Sequence, residues 1–389
     1  MKKRLENNEQ IGGKMHKTIS FIKTEYGVIL PIILFVLLNM VFLGLDPYNI
    51  SHFATAATTF VIFAVMLVCA FNVVKHADWL AEKFGEPYGT LILTLSVISI
   101  EVALIITMML IGKGDPTLAR DTMFAVIMIA VNGFAGLSLL TGGIKHNTQM
   151  YNTEGASIYI SLLILLLTVC LILPNYTVAT DAGTFNLSQS IVVIIVCVIL
   201  YAVFLVKQTV THKDYFQYKH DGDSDEEHHS PMGSVLYHVI MLLLGLVVMI
   251  ALSKNLASFL EFSIQEAGLP SKLGGFIIAL LVLTPEGVSA IQAAYKNQLQ
   301  RSINLCMGSA VATICLTVPS VLVISLVLGQ PLILGLNSTS IVIMVLTFLI
   351  ALVTFTSRRT SVFNGMVLLS VFIVYFALIF DVAQPLSQL

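Results

Sequence analysis

The stretch Leu281–Ala290, LVLTPEGVSA, puts a proline, a glutamate and a glycine side by side inside an apolar run. Proline has no amide hydrogen and its ring clashes with the preceding turn, so it kinks or breaks a helix. An ionised side chain at the centre of a membrane-spanning helix costs about 2.5–3.5 kcal/mol. Two such unfavourable choices in one segment point to a purpose other than stability.

The segment belongs to a membrane protein. Of 389 residues, 57% are hydrophobic and 11% charged, with a mean hydropathy of +0.91. An ordinary soluble domain carries about 25% charged residues, so the composition excludes that class. The net charge of −2 gives no reason to expect a nucleic-acid partner. Cys69, Cys170, Cys197, Cys306 and Cys315 all lie in apolar runs with no metal or redox spacing, and read as small core hydrophobes. No cofactor is expected. The opening MKKRLENNEQIGGKMHK is polar and basic, with no apolar region directly behind it, and does not read as a signal peptide.

A span needs about 20 apolar residues. Eleven runs qualify, at roughly 27–45, 52–72, 88–111, 122–144, 155–174, 187–207, 234–254, 273–295, 303–328, 338–356 and 361–380. The seventh continues as an amphipathic stretch, NLASFLEFSIQEAG, which reads as more of the same helix or as an interfacial one. Cytoplasmic loops retain excess Lys and Arg. With the N-terminus inside, 16 of the 20 basic residues fall on the inner side; only Lys113, Arg120, Lys254 and Lys272 fall outside. The expected fold is therefore an all-α polytopic membrane protein of eleven transmembrane helices, N-terminus cytoplasmic and C-terminus outside.

The expected organisation is a cytoplasmic tail (1–26), an extra N-terminal helix (27–45), a first repeat (52–207), a linker (208–232) and a second repeat (233–380). The linker holds Asp221, Asp223, Asp225, Glu226 and Glu227. Such a run reads as a solvated connection or as a cation-attracting, regulatory patch.

Of the 22 Asp and Glu residues, the reading places 20 in loops, tails or span ends. Glu101, in LTLSVISIEVALIITM, and Glu286 sit deep in uncharged spans. Span three runs inside to outside and span eight the reverse, so the two glutamates occupy equivalent places in two inverted five-helix repeats, spans 2–6 and 7–11. The following helices also align: RDTMFAVIMIAVNGF from Arg120 runs beside RSINLCMGSAVATIC from Arg301. Asn132 and Thr313 then correspond, each twelve residues after its arginine. Inverted repeats with a midplane site are a transporter signature.

Pro285, with Gly287, marks an expected helix break that would free backbone carbonyls beside Glu286. Thr284 and Ser289 add hydroxyls there, and Thr94, Ser96 and Ser99 stand near Glu101. Together these are hard oxygen ligands, the kind Ca²⁺ and Na⁺ take. An enzyme is not indicated: the spans carry no His-Glu-x-x-His and no Gly-x-Ser-x-Gly, and His238 stands alone near the start of span seven as a helix-end residue. Singly buried acids, rather than rings of them, argue against a passive channel.

The segments GEPYGTLILTLSVISIEVALI and GGFIIALLVLTPEGVSAIQAAYKNQLQRSINLCMGSAVATICLTVP resemble the two α-repeats of the calcium/cation antiporter superfamily, about 88–144 and 273–328 here. The likeness is closest to its calcium/proton exchanger branch and, within it, to bacterial Cha-type sodium/potassium/calcium–proton antiporters. It implies that Glu101 and Glu286 bind the exported cation and exchange it for protons. It implies neighbouring roles for Asn132, Gly308 and Ser309, which match the polar positions of the second α-repeat helices. The partners implied are inorganic cations, protons and the lipid bilayer of a bacterial plasma membrane, with a homo-oligomer left open. Two departures stand out. Val97 and Ile98 replace the family's Gly-Asn before Glu101, and Ala312 replaces a glutamine. Fewer oxygens surround the carboxylates, which leaves room for Na⁺ or K⁺ beside Ca²⁺. The expected function is export of Ca²⁺, and also of Na⁺ or K⁺, against protons; the alternative is a Na⁺(K⁺)/H⁺ antiporter with little Ca²⁺ activity.

Overall fold

The structure, a computed structural model, describes residues 25–41, 47, 51–85, 88–111, 116–217, 234–329 and 332–381. The acidic residues Asp221, Asp223, Asp225, Glu226 and Glu227 lie outside the described residues.

Small polar residues fix where the apolar runs become helices. Asn186 accepts from the Gln189 amide at 2.8 Å while the Gln189 side chain accepts from the Asn186 amide at 2.9 Å, a reciprocal cap. The Ser51, Asn152 and Asn337 side chains accept from first-turn amides in the same way. The helices are α1 (Glu25–Met40), α2 (His52–Phe84), α3 (Tyr88–Ile111), α4 (Leu118–His146), α5 (Thr153–Tyr176), α6 (Leu187–Thr211), α7 (Val235–Glu266), α8 (Lys272–Tyr295), α9 (Leu299–Leu328), α10 (Ser338–Phe355) and α11 (Val362–Ile379). Among the described residues, nine are long and apolar enough to cross a membrane, and Glu25–Met40 and Thr94–Thr107 are shorter apolar helical stretches of α1 and α3. The protein is the expected all-α polytopic membrane protein. The amphipathic stretch after span seven is part of α7 itself. Glu25, read from the sequence as part of the tail, belongs to α1 and is buried.

Contacts between connecting segments sort into two faces. On one, β1 (Gln149–Met150) pairs antiparallel with β2 (Arg359–Thr360), Gln149 donates to Asn297 at 3.0 Å, and Asn152 and Asn304 donate to the carbonyls of Asp214 and Phe216. This is the face on which the sequence collects its Lys and Arg. On the other, the amides of Ile333, Leu334 and Leu336 donate to Pro116, Gly183 and Leu171. Helix packing follows the inverted repeat: α6 packs on α9 as α11 packs on α4, and α2 packs on α7.

Two hydrophobic cores form. The larger joins α4, α5, α6, α9, α10 and α11. The smaller joins α1, α2 and α7. Helices α3 and α8 contribute to both, with Ile98 and Ile105 in one and Val97, Ile100 and Leu104 in the other. The helices carrying Glu101 and Glu286 therefore lie in the seam between two packed bodies.

Helices in lipid gain little from apolar burial against one another, so they associate through close backbone approach at small residues. A Cβ at Gly365 of α11 would fall 2.5 Å from the Leu140 nitrogen and 2.7 Å from the Gly136 oxygen of α4. Backbone cannot yield as a side-chain tip can. Gly365→Val is therefore expected to destabilise the protein by about 1–3 kcal/mol or more, read as a lower thermal midpoint in detergent. An unchanged midpoint would contradict the α4–α11 packing.

Candidate functional site

Glu101 is completely buried on α3. Two hydroxyls of α9 hold it. Thr313 Oγ1 donates to Oε2 at 2.8 Å and Thr317 Oγ1 to Oε1 at 3.2 Å. Thr313 and Thr317 are one helical turn apart, so they reach one carboxyl group together. A threonine hydroxyl can donate or accept, so the same pair can serve the ionised and the protonated acid. The sequence reading found Thr313 but not Thr317. The signal was present in ATICLTV, as two threonines at i and i+4 on a helix already assigned to the site.

Glu286 has a different environment. It is half-buried on α8, and its Oε2 is enclosed with no hydrogen-bond partner among the described residues. Ser309 of α9 lies beside it. The α9 residues serving the two glutamates, Ser309 and Thr313, are four apart, about 6 Å along the helix, and Glu101 feels the charge of Glu286.

The helix break expected at Pro285 and Gly287 is absent. Helix α8 runs from Lys272 to Tyr295 with Pro285 inside it. The Thr284 hydroxyl donates to the Leu280 carbonyl and the Ser289 hydroxyl to the Pro285 carbonyl at 3.0 Å. Neither acceptor is the Leu281 carbonyl that Pro285 cannot serve, since a helical N–H donates to residue i−4. Both hydroxyls bond back to their own helix. Gly287 serves packing: a Cβ there would collide with the Phe134 ring of α4.

A cavity of about 230 Å³ opens beside Glu286. Its walls include Thr94 of α3, Tyr201 and Gln208 of α6, and Arg301, Asn304 and Ser309 of α9. From Ser309 to Arg301 is eight residues, about 12 Å of helix, and Arg301 lies near the basic face. The cavity thus runs from the middle of the bundle toward that face. At the opposite face, Arg120 clamps the 332–336 segment by donating to the Gly335 carbonyl at 3.0 Å and to Asp121 at 2.8 Å. The pocket beneath, about 60 Å³ and lined by Asp121, Lys272 and Tyr375, includes neither glutamate. Tyr201, Gln208, Arg301 and Asn304 were not singled out as site residues from the sequence, because only the fold brings the ends of α6 and α9 together.

Two of the sequence's candidates stand apart. Asn132 is buried in a π-helical turn of α4, Met128–Phe134, and donates to Thr347 of α10 at 2.9 Å rather than to a glutamate; its Oδ1 has no partner. Ser99 is exposed, donates to the Leu95 carbonyl at 2.6 Å, and lines an apolar groove with Val102 and Leu316. Two residues from Glu101 on a helix, it points to a different side.

Comparison with known proteins agrees with this architecture. The chain matches the family described as sodium/calcium exchanger protein over residues 54–210 and 237–380, one stretch per repeat. It is 42% identical over 319 residues to the Sodium-potassium/proton antiporter ChaA of Escherichia coli (strain K12), covering 81% of this chain and 86% of that one. To the Ca(2+)/H(+) antiporter ChaA of Bacillus subtilis (strain 168) it is 23% identical over 329 residues, covering 84% and 92%. Among solved structures it resembles native YfkE, with a TM-score of 0.71 at 20% identity over 93% of this chain and 99% of that one. It also resembles the H+/Ca2+ exchanger CAX, with a TM-score of 0.65 at 14% identity over 92% and 89%. With both five-helix units matched, the chain belongs to the sodium/calcium exchanger protein family.

Proposed function

We propose that the protein is a secondary antiporter that moves a cation out of the cytoplasm in exchange for protons, by alternating access at Glu101 and Glu286. One observation carries the reading. Two enclosed carboxyl groups sit on the corresponding helices of inverted repeats, and the cavity at one of them opens toward a single face. The basic face is read as cytoplasmic, which puts the N-terminus inside, the C-terminus outside and the cavity inward-facing. The Arg120 clamp closes the other side.

The coupling follows from charge. Two bare carboxylates in one low-dielectric seam repel each other and lack solvation. Protons or a cation relieve that cost, and each excludes the other. If only the relieved states cross between inward- and outward-facing forms, flux of one requires counterflux of the other.

Two observations favour Na⁺ and K⁺ over Ca²⁺ as cargo. Ca²⁺ takes six to eight oxygens, whereas the side chains that bond the carboxyl groups directly are two threonines at Glu101 and Ser309 at Glu286. The relative at 42% identity is named a sodium-potassium/proton antiporter. The two negative charges, and the Ca(2+)/H(+) antiporter of Bacillus subtilis at 23% identity, keep Ca²⁺ as the second reading.

Inside-out vesicles energised to an acid interior test this. Na⁺, K⁺ or Ca²⁺ added singly should dissipate the pH gradient in the wild type. Glu101→Gln and Glu286→Gln should each abolish that response while the protein stays in the membrane. Exchange retained in both variants would overturn the site.

Thr313→Ala and Thr317→Ala probe the α9 hydroxyls. A hydrogen bond to a charged group contributes about 1.5–3 kcal/mol, and 1.4 kcal/mol is tenfold in affinity. The protonated acid keeps a bond of about 0.5–1.5 kcal/mol, so the difference of about 1 kcal/mol should raise the half-saturating cation concentration of each variant about fivefold. An unchanged value in the double variant would remove these hydroxyls from the site.

A further inference from the structure

The ends of α1, α2 and α7 on the basic face enclose a second set of titratable groups, distinct from the two glutamates. Glu25 is 1% exposed and His76 0%. Glu25 Oε2 meets His76 Nε2 at 3.0 Å and accepts from Asn72 Nδ2 at 3.4 Å, while Oε1 accepts from the Tyr237 hydroxyl. His76 Nδ1 meets His238 Nδ1 at 2.9 Å. The His238 ring stacks on Trp79, with centroids 3.8 Å apart and planes within 3°. His238, which looks isolated in the sequence, is the outer end of a Glu–His–His relay.

Donor and acceptor counting fixes the protons. An ionised Glu25 can only accept, so His76 donates from Nε2. A neutral imidazole has one N–H, so His76 Nδ1 accepts and His238 Nδ1 donates. In this state every contact is satisfied and the relay carries one net negative charge. One more proton fits on His238 Nε2 without breaking any of them. His238 Nδ1 keeps donating, the new positive charge spreads over a ring stacked on Trp79, and the relay becomes neutral. The proton between the two Nδ1 atoms can sit on either ring, so the added charge belongs to the His76–His238 pair. On Glu25 the added proton would displace one of three accepted bonds. Among the described residues, Lys75 of α2 also reaches His238, while Asp78 of the same helix interacts with Arg301 and Glu286.

We infer that the His238–His76 pair, held by Glu25, is a proton-binding site separate from the transport site, and that through it pH at the basic face acts on α1, α2 and α7. These three helices build the smaller core, which packs against α3 and α8. The site does not depend on the antiport reading, because it rests on a different set of residues and binds a proton whether or not a cation moves.

Trp79 supplies the test, since it is the single tryptophan of the chain and a stacked imidazolium quenches indole emission. In the purified full-length protein, wild-type emission should fall reversibly on acidification within about pH 5–8, the range in which histidine titrates. His238→Gln should abolish that dependence. Glu25→Gln, which removes the counter-charge and keeps the shape, should displace it. Tyr237→Phe gives a milder displacement should Glu25→Gln fold poorly. Emission flat across the range in the wild type, or the same quench in His238→Gln, would overturn the inference.

Discussion

The interaction on which the rest depends is the one between a carboxyl group buried in an apolar seam and the hydroxyls that meet it. Glu101 has no exposed surface, and an uncompensated charge in such a place is strongly unfavourable. Thr313 and Thr317 make the position tolerable by contacting both of its oxygens. Glu286 has no such pair; one of its oxygens is enclosed without a partner among the described residues and its neighbours line a cavity. This difference gives the site a held end and an open end. It also ties the site to α9, the helix that serves both carboxyl groups.

The two cores explain how such a site can be both enclosed and reachable. Helices α3 and α8 each pack one face into the large core and another into the small one. A seam between packed bodies can open by movement of one body against the other, without exposing either core. The open cavity on the basic face and the pinned 332–336 segment on the other are the asymmetry that such a device has in any one state. On the proposed alternating-access reading, inverted repeats would supply the second state, each half taking the part of the other.

Much of this was legible in the sequence because charge is conspicuous in an apolar chain. Glu101 and Glu286 stand out as candidates by the expense of putting them there, and the spans by their length. Other features were hidden for definite reasons. Pro285 was read as a break, but the helix continues through it, with Gly287 packed on Phe134. Asn132 aligned with Thr313 in the repeat, yet its neighbour across the bundle is Thr347 rather than a glutamate. Glu25 looked like part of the tail and His238 like a residue at a helix end. Only folding brings positions 51 and 162 residues from His76 in the chain against its ring, and no local pattern encodes that.

The central claim is that cation and proton compete for the same two carboxyl groups. Its most direct measurement is proton release from the purified protein, in weakly buffered solution with a pH indicator, on addition of Na⁺, K⁺ or Ca²⁺. Release on binding in the wild type, and none in the Glu101→Gln, Glu286→Gln double variant, is the expected result. Cation binding without proton release, or release undiminished in the double variant, would contradict it.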